Sequence, residues 1–342
     1  ALVAVDAPDR AYDAADTFFT GDPEARPGGP GVDLRDRLAD PVSNGRTEHW
    51  EVALDAFSDE PLRGHGAAMY EALWAEDRDI ELRVLDAHSL YLEVMSELGL
   101  VGLLLLLVAL GGILVAFARG VRGPNRALYA CLLGAGVVWC LRAAGDWDWE
   151  MPATGIWLFA LGGVAAAAPW RERPAPAHRP RWPLAVALAW LAIAVGPLLV
   201  MLSQTNLNDA KFQLAQGDCV AASDHALTSI EMLSSRREPY ELLGFCQALR
   251  GFPRQGVEAM RRAIEQDPKS WQARYGLAVV RAQAGEDPSG DLRDALAMNP
   301  MEEVVLDTIE RFREAPRSQW PQVGAESQQA ALDSGHLTVA DQ

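Results

Sequence analysis

The sequence predicts an all-α protein: polytopic membrane helices, an outward helical loop, and a C-terminal α-solenoid. Three observations carry this reading. Apolar residues are gathered into four long blocks, although the 342-residue chain as a whole is only 49% hydrophobic. The basic residues cluster between those blocks while the acids lie outside them. Glycines then recur at a fixed interval in the last third. The formal charge of −17 argues against a nucleic-acid partner, which a phosphate backbone would repel. Four cysteines in this length exclude a disulfide-rich scaffold.

Residues 1–97 form the first predicted segment. Residues 1–42, rich in Asp, Ala, Gly and Pro, read as irregular loop. Ser43 is a candidate helix cap, and Trp50, Ala53, Leu54 and Phe57 follow at helical spacing until Pro61. LRGHG comes next, with Gly64 and Gly66 allowing a tight backbone, and a second helical stretch holds Met69, Tyr70 and Trp74. The segment DAHSLYLEVMSELG then runs straight into the first apolar block, which places His88 at the mouth of the bilayer.

Residues 98–202 hold four expected transmembrane helices: 98–118, 127–144, 152–170 and 183–202. The first is long enough to cross a hydrocarbon core of about 30 Å, and none shows the polar face of a soluble core helix. Arg119, Arg122 and Arg126 fill one connecting loop without an acid. Arg171, Arg173, Arg179 and Arg181 fill another against Glu172 alone. The loop between them, RAAGDWDWEMP, is acidic. Basic loops stay in the cytoplasm, so residues 1–97, the acidic loop and residues 203–342 are expected outside. The outward segments 1–97 and 203–342 carry −14 and −7. Trp170 and Trp182 bracket the second basic loop as interfacial anchors.

Residues 203–315 become amphipathic, with Gly217, Gly251 and Gly285 spaced by 34, the period of the tetratricopeptide repeat. In the middle copy Tyr240, Leu243 and Gly244 occupy the first helix, Gly256 and Ala263 the second, and Pro268 closes the unit. Such a stack presents a concave surface for a protein partner or acts as a spacer. Cys219 and Cys246 lie in this outward domain, where an oxidising compartment would permit pairing, whereas Cys131 and Cys140 read as packing residues of a span. Residues 316–342 read as a mostly disordered end.

The ordered string Arg46-x3-Trp50, Pro61-Leu62-x-Gly64-x-Gly66, then His88-Ser89-x-Tyr91-Leu92-Glu93-x3-Glu97-x-Gly99-x2-Gly102 resembles the signature of the O-antigen ligase and polymerase family. The resemblance covers roughly residues 43–150, and Ser89 stands where Asn is common. It implies an integral-membrane glycosyltransferase similar to the GT-C class, in the cytoplasmic membrane. Such an enzyme moves a glycan from a polyprenyl-diphosphate carrier to an acceptor hydroxyl on a glycan, lipid or protein outside the cytoplasm. It implies no cofactor and no metal. Family members have about a dozen spans, so this chain is expected to be the C-terminal portion, with further spans preceding Ala1. A polymerase joining repeat units, or a noncatalytic membrane-anchored repeat scaffold, are the alternatives.

The chemistry fits those roles. A diphosphate leaving group gains charge in the transition state, and a fixed Arg can hold it bidentately; Arg46 is the candidate. The acceptor hydroxyl must lose a proton, for which a neutral His is suited; His88 is the candidate. Arg63 and His65, flanking Gly64 and Gly66, could reach a phosphate, and Arg83 is similarly placed. Tyr91, Glu93 and Glu97 share the helix after His88, where the carboxylates could orient it, contact sugar hydroxyls or simply face solvent. Asp146 and Asp148 with Trp147 suit a substrate mouth rather than a metal site, Trp147 and Trp149 offering faces for sugar stacking or an interface anchor.

Overall fold

The computed structural model describes residues 45–171 and 182–333, and among these there is no strand. Ser43 and the remainder of 1–44, the basic loop 172–181, the end 334–342 and the side chains of Trp170 and Trp182 lie outside the described residues. The chain divides into two compact units, 1–174 and 175–342.

In the first unit, α1 spans Arg46–Asp59, α2 Tyr70–Asp77, α3 Leu90–Gly120, α4 Arg126–Arg142 and α5 Pro152–Arg171. Helix α1 buries His49, Val52, Ala53 and Ala56, a one-sided stripe at i, i+3, i+4 and i+7. Of the sequence-read Trp50, Ala53, Leu54 and Phe57, Ala53 lies in this stripe, while Leu54 is left 46% exposed. Small Ala53 and Ala56 pack into one core with Tyr70, Leu73 and Trp74 of α2. Two hydrogen bonds lock that core: Tyr70 donates its hydroxyl to the His49 carbonyl at 2.7 Å, and the Trp74 indole donates to the Leu82 carbonyl at 2.9 Å.

Helix α3 is broken at Gly99, whose φ of 63° and ψ of −164° interrupt the helical ladder. The strap Pro61–Gly66 docks into this break and supplies its hydrogen bonds. Leu100 N–H donates to the Pro61 carbonyl at 2.8 Å, while His65 and Gly66 N–H donate to the carbonyls of Ser96 (3.0 Å) and Glu97 (2.8 Å). The kink therefore has an identified cause, backbone inserted into the i→i−4 ladder. Below it, α3 packs on α4 and α5 around Leu110, Phe117, Leu158 and Ala165. Its other side leaves Leu105 and Val108 66% and 72% exposed, an apolar face suited to lipid.

Two helices are long and apolar enough to cross a membrane, Leu90–Gly120 and Leu184–Ala215. The other two predicted spans are helical but shorter: α4 has 17 residues, and the apolar part of α5 is Pro152–Ala167.

In the second unit, α6 (Trp182–Ala215) joins the fourth predicted span and the start of the repeat region in one 34-residue helix. Its Ser203, Leu207 and Ala210 are buried, the Ser203 hydroxyl 2.8 Å from that of Ser229. There follow α7 Cys219–Met232, α8 Glu238–Leu249, α9 Pro253–Gln266, α10 Trp271–Gln283, α11 Ser289–Met298, α12 Glu303–Glu314 and α13 Trp320–Asp333. Each of α6 to α12 packs against its successor. Gly217, Gly251 and Gly285, at φ of 79°, 84° and 79°, turn the chain within the α6/α7, α8/α9 and α10/α11 pairs. A Cβ on Gly256 would lie 2.6 Å from the Gly244 carbonyl oxygen, so these two small residues let α8 and α9 touch backbone to backbone.

Helix α13 differs from the expected disordered end. It packs along α10 and buries Gly324, Ser327, Gln328 and Ala331. The Gln328 amide donates to the Phe245 carbonyl at 3.1 Å and the Tyr275 hydroxyl to the Ser327 carbonyl at 3.3 Å. Its composition is polar because much of its docking is through hydrogen bonds, which hydropathy does not register.

Candidate active site

His88 ends a bend between α2 and α3 with a left-handed φ of 52°, one of two non-glycine residues with positive φ among the described residues. Such a backbone costs about 1 kcal/mol, and here one carboxylate holds it in place. Asp86 accepts the His88 backbone N–H at 2.7 Å and the ring Nδ1 at 2.8 Å. A carboxylate can only accept, so Nδ1 carries the proton and Nε2 of the neutral ring is left as the base. The Asp86 bond raises the His88 pKa above the ordinary histidine value against the opposing effect of burial. The Asp86 carboxyl is lowered: the bond and charge of His88 outweigh its burial.

The start of α3 is fastened on several sides. Leu90 N–H donates to the Ala143 carbonyl at 2.9 Å, and the Tyr91 hydroxyl to the Cys140 carbonyl at 2.9 Å. Glu93 accepts the Ala87 N–H and Glu97 the Tyr70 N–H, both at 3.1 Å. In this structure Tyr91, Glu93 and Glu97 therefore brace the loop that carries His88.

Arg46 opens α1. Its Nε is buried without a hydrogen-bond partner, and its charge acts on both His88 and His49. Among the described residues no carboxylate is paired with this guanidinium, which leaves it available to an anion.

His49 is a third member that sequence reasoning missed. It is 1% exposed, its ring centroid 4.7 Å from Trp74 and 5.0 Å from His88. Neither ring nitrogen has a hydrogen-bond partner. Burial first, then the neighbouring His88 charge, lowers its pKa to about 4. The fold thus holds His49 neutral, and its contribution to stability is complete above the unfolded value of 6.5 and lost as pH falls toward about 4. The span corresponds to about 3 kcal/mol. Denaturant unfolding at pH 7 and pH 4.5 should show this loss in the wild type and a clearly smaller one in His49→Phe; an equal loss in both would assign the acid sensitivity elsewhere.

Glu150, in a short 3-10 turn at Asp148–Glu150, completes the surroundings. Oxygens of Asp86, Glu93 and Glu150 lie within 4.8 Å of one another, the grouping among the described residues with the spacing of metal ligands. Burial and the Asp86 charge raise the Glu150 pKa, so the turn brings proton-holding capacity close to the Asp86–His88 pair.

The other predicted residues lie as follows. Arg63 and Arg83 are exposed. His65 donates its Nε2–H to the Ala56 carbonyl at 2.9 Å, which ties the strap to α1. Gly64 and Gly66 make the backbone contacts with the broken part of α3. Asp146 pairs with Arg142 at 3.3 Å, Asp148 pairs with the same arginine, and Trp147 is 40% exposed. Asp86 had a signal in the sequence: an Asp two residues before a His, placed to accept the i+2 N–H in an Asx turn. His49 had one as well, at i+3 from Arg46 on the same helix.

Residues 30–107 match the family model described as O-antigen ligase. That range contains Arg46, His49, the strap, Asp86, His88 and the break at Gly99. No curated protein matches the chain. The match supports the O-antigen ligase family, a family of membrane glycan ligases, and with the two long apolar helices it points to an integral membrane protein.

Proposed function

We propose that the chain carries the catalytic loop of an enzyme that transfers a glycan from a polyprenyl-diphosphate carrier to an acceptor hydroxyl, at the outer face of the cytoplasmic membrane. The observation that carries this reading is the Asp86–His88 pair, which leaves Nε2 as a base within reach of the Arg46 charge. The acceptor oxygen attacks the anomeric carbon as its proton passes to His88 Nε2. The bond from that carbon to the diphosphate oxygen breaks, and the carrier diphosphate leaves with the electron pair. Arg46 opposes the negative charge that accumulates on it. Asp86 keeps the ring in the required tautomer and stabilises the imidazolium that forms.

This reading takes four spans, with the basic loops 119–126 and 171–181 in the cytoplasm and the catalytic loop outside. Two observations support a tetratricopeptide-like stack in the second unit: the 34-residue spacing of its positive-φ glycines and the Gly244–Gly256 crossing. Its role here is to hold a protein partner or acceptor.

Asp86→Asn tests the pair. Release of carrier diphosphate from a lipid-linked glycan donor should fall roughly 10²–10⁴-fold. Because Asp86 raises the His88 pKa, transfer in the wild type climbs with pH through that raised value, and the residual rate of the variant should climb at lower pH. An unchanged rate and an unchanged pH limb would overturn the base assignment.

A further inference from the structure

Cys219 begins α7 and Cys246 lies in α8, and both are buried in the same cluster with Leu207, Ala222, Ala226 and Leu242. Helices α7 and α8 pack on one another, the two thiols are near enough to influence each other, and both are free in this structure. Cys219 also lines a groove of about 760 Å³ formed with Lys211, Phe212, Leu249, Arg250 and Leu332, so one of the pair can be reached from outside the core. Cys131 and Cys140 lie elsewhere, both within α4.

We propose that Cys219 and Cys246 form a disulfide that clamps α7 to α8, made through the groove by a thiol–disulfide donor. The proposal rests on the outward placement of this unit, since an oxidising compartment is what sustains such a bond. The Cys219 thiolate attacks one sulfur of the donor disulfide and releases the first donor thiol. The Cys246 sulfur then attacks Cys219 in the mixed disulfide and releases the second. Two electrons pass to the donor, and the two cysteine protons end on the two donor thiols. The reactive order follows from access: Cys219 lines the groove, whereas Cys246 is fully buried behind it. Cys219 is therefore the attacking thiol.

The test maps all four cysteines in the full chain. Membranes are quenched in acid, alkylated with N-ethylmaleimide and digested without reduction. The expected result is a peptide joining Cys219 to Cys246, with alkyl label on Cys131 and Cys140. A parallel sample of the purified chain is treated with oxidised glutathione before alkylation. If this sample remains fully alkylated, or stops as a glutathione adduct on Cys219, the pairing itself is overturned. If it forms the cross-link while the membrane sample carries four alkyl groups, the outward placement is overturned, and the bond in the cell with it.

Discussion

His88→Ala lowers glycan transfer roughly 10²–10⁴-fold, the range a positioned general base contributes, while the protein still inserts in the membrane. Nε2 is the atom lost, and neither His49 nor His65 can replace it. His49, the nearest, is buried and held neutral with a pKa of about 4, a far weaker base, and its ring is packed between Trp74 and His88. His65 is occupied by the Ala56 carbonyl. Alanine must also adopt the left-handed backbone of residue 88, so His88→Asn is the companion variant, since asparagine tolerates that region and cannot serve as the base. Both variants should lose transfer, measured as carrier diphosphate released from a lipid-linked donor, at equal amounts of protein in the membrane. Near-normal transfer by either removes His88 from the chemistry.

Gly64→Ala should destabilise the first unit by more than about 4 kcal/mol, in the exceptional class of single substitutions, so that the chain fails to accumulate in membranes. A Cβ at residue 64 would lie 2.3 Å from the Glu97 carbonyl carbon, 2.4 Å from its oxygen and 2.6 Å from Leu98 N, at a φ of +65°. All three are backbone atoms, and none can swing aside. Gly99 faces the strap reciprocally, its Cβ position 2.5 Å from the Leu62 carbonyl carbon and 2.6 Å from Arg63 N. Pushing the strap off would strip hydrogen bonds from Leu100, His65 and Gly66 at once. Arg63→Ala, in the same strap with an exposed side chain, should accumulate normally. Normal amounts and wild-type thermal stability of Gly64→Ala would show that the strap does not hold α3.

The helices were largely legible in the sequence, because apolar runs and glycine spacing are local signals. What the sequence concealed were the partners. Gly64-x-Gly66 reads equally well as a phosphate cradle and as a tight turn; only the position of Gly99, 35 residues on, shows that its neighbour is backbone. Glu93 and Glu97 look like a solvated stripe, yet each accepts a single backbone N–H across the loop, a long-range pairing with no periodicity. His49 was hidden because a polar residue within an apolar face falls outside a hydropathy count. The expected boundary at residue 202 falls inside α6, where lipid-facing and core-facing stretches follow one another along one helix without a break in propensity. The roles proposed for His88 and Arg46 came from the sequential order of a motif, a signal that does not depend on the tertiary packing.

The break at Gly99 gives assembly a sequence of events. An apolar segment can enter the bilayer as soon as it is made, but the amide of Leu100 waits for the Pro61 carbonyl. The strap is joined to α1 through His65, and α1 carries Arg46 and His49. The strap that closes the gap in the helix is thus fastened to the same helix that carries the cation and the buried imidazole. On the proposed reading, a chain inserted without the strap would be in place but inert.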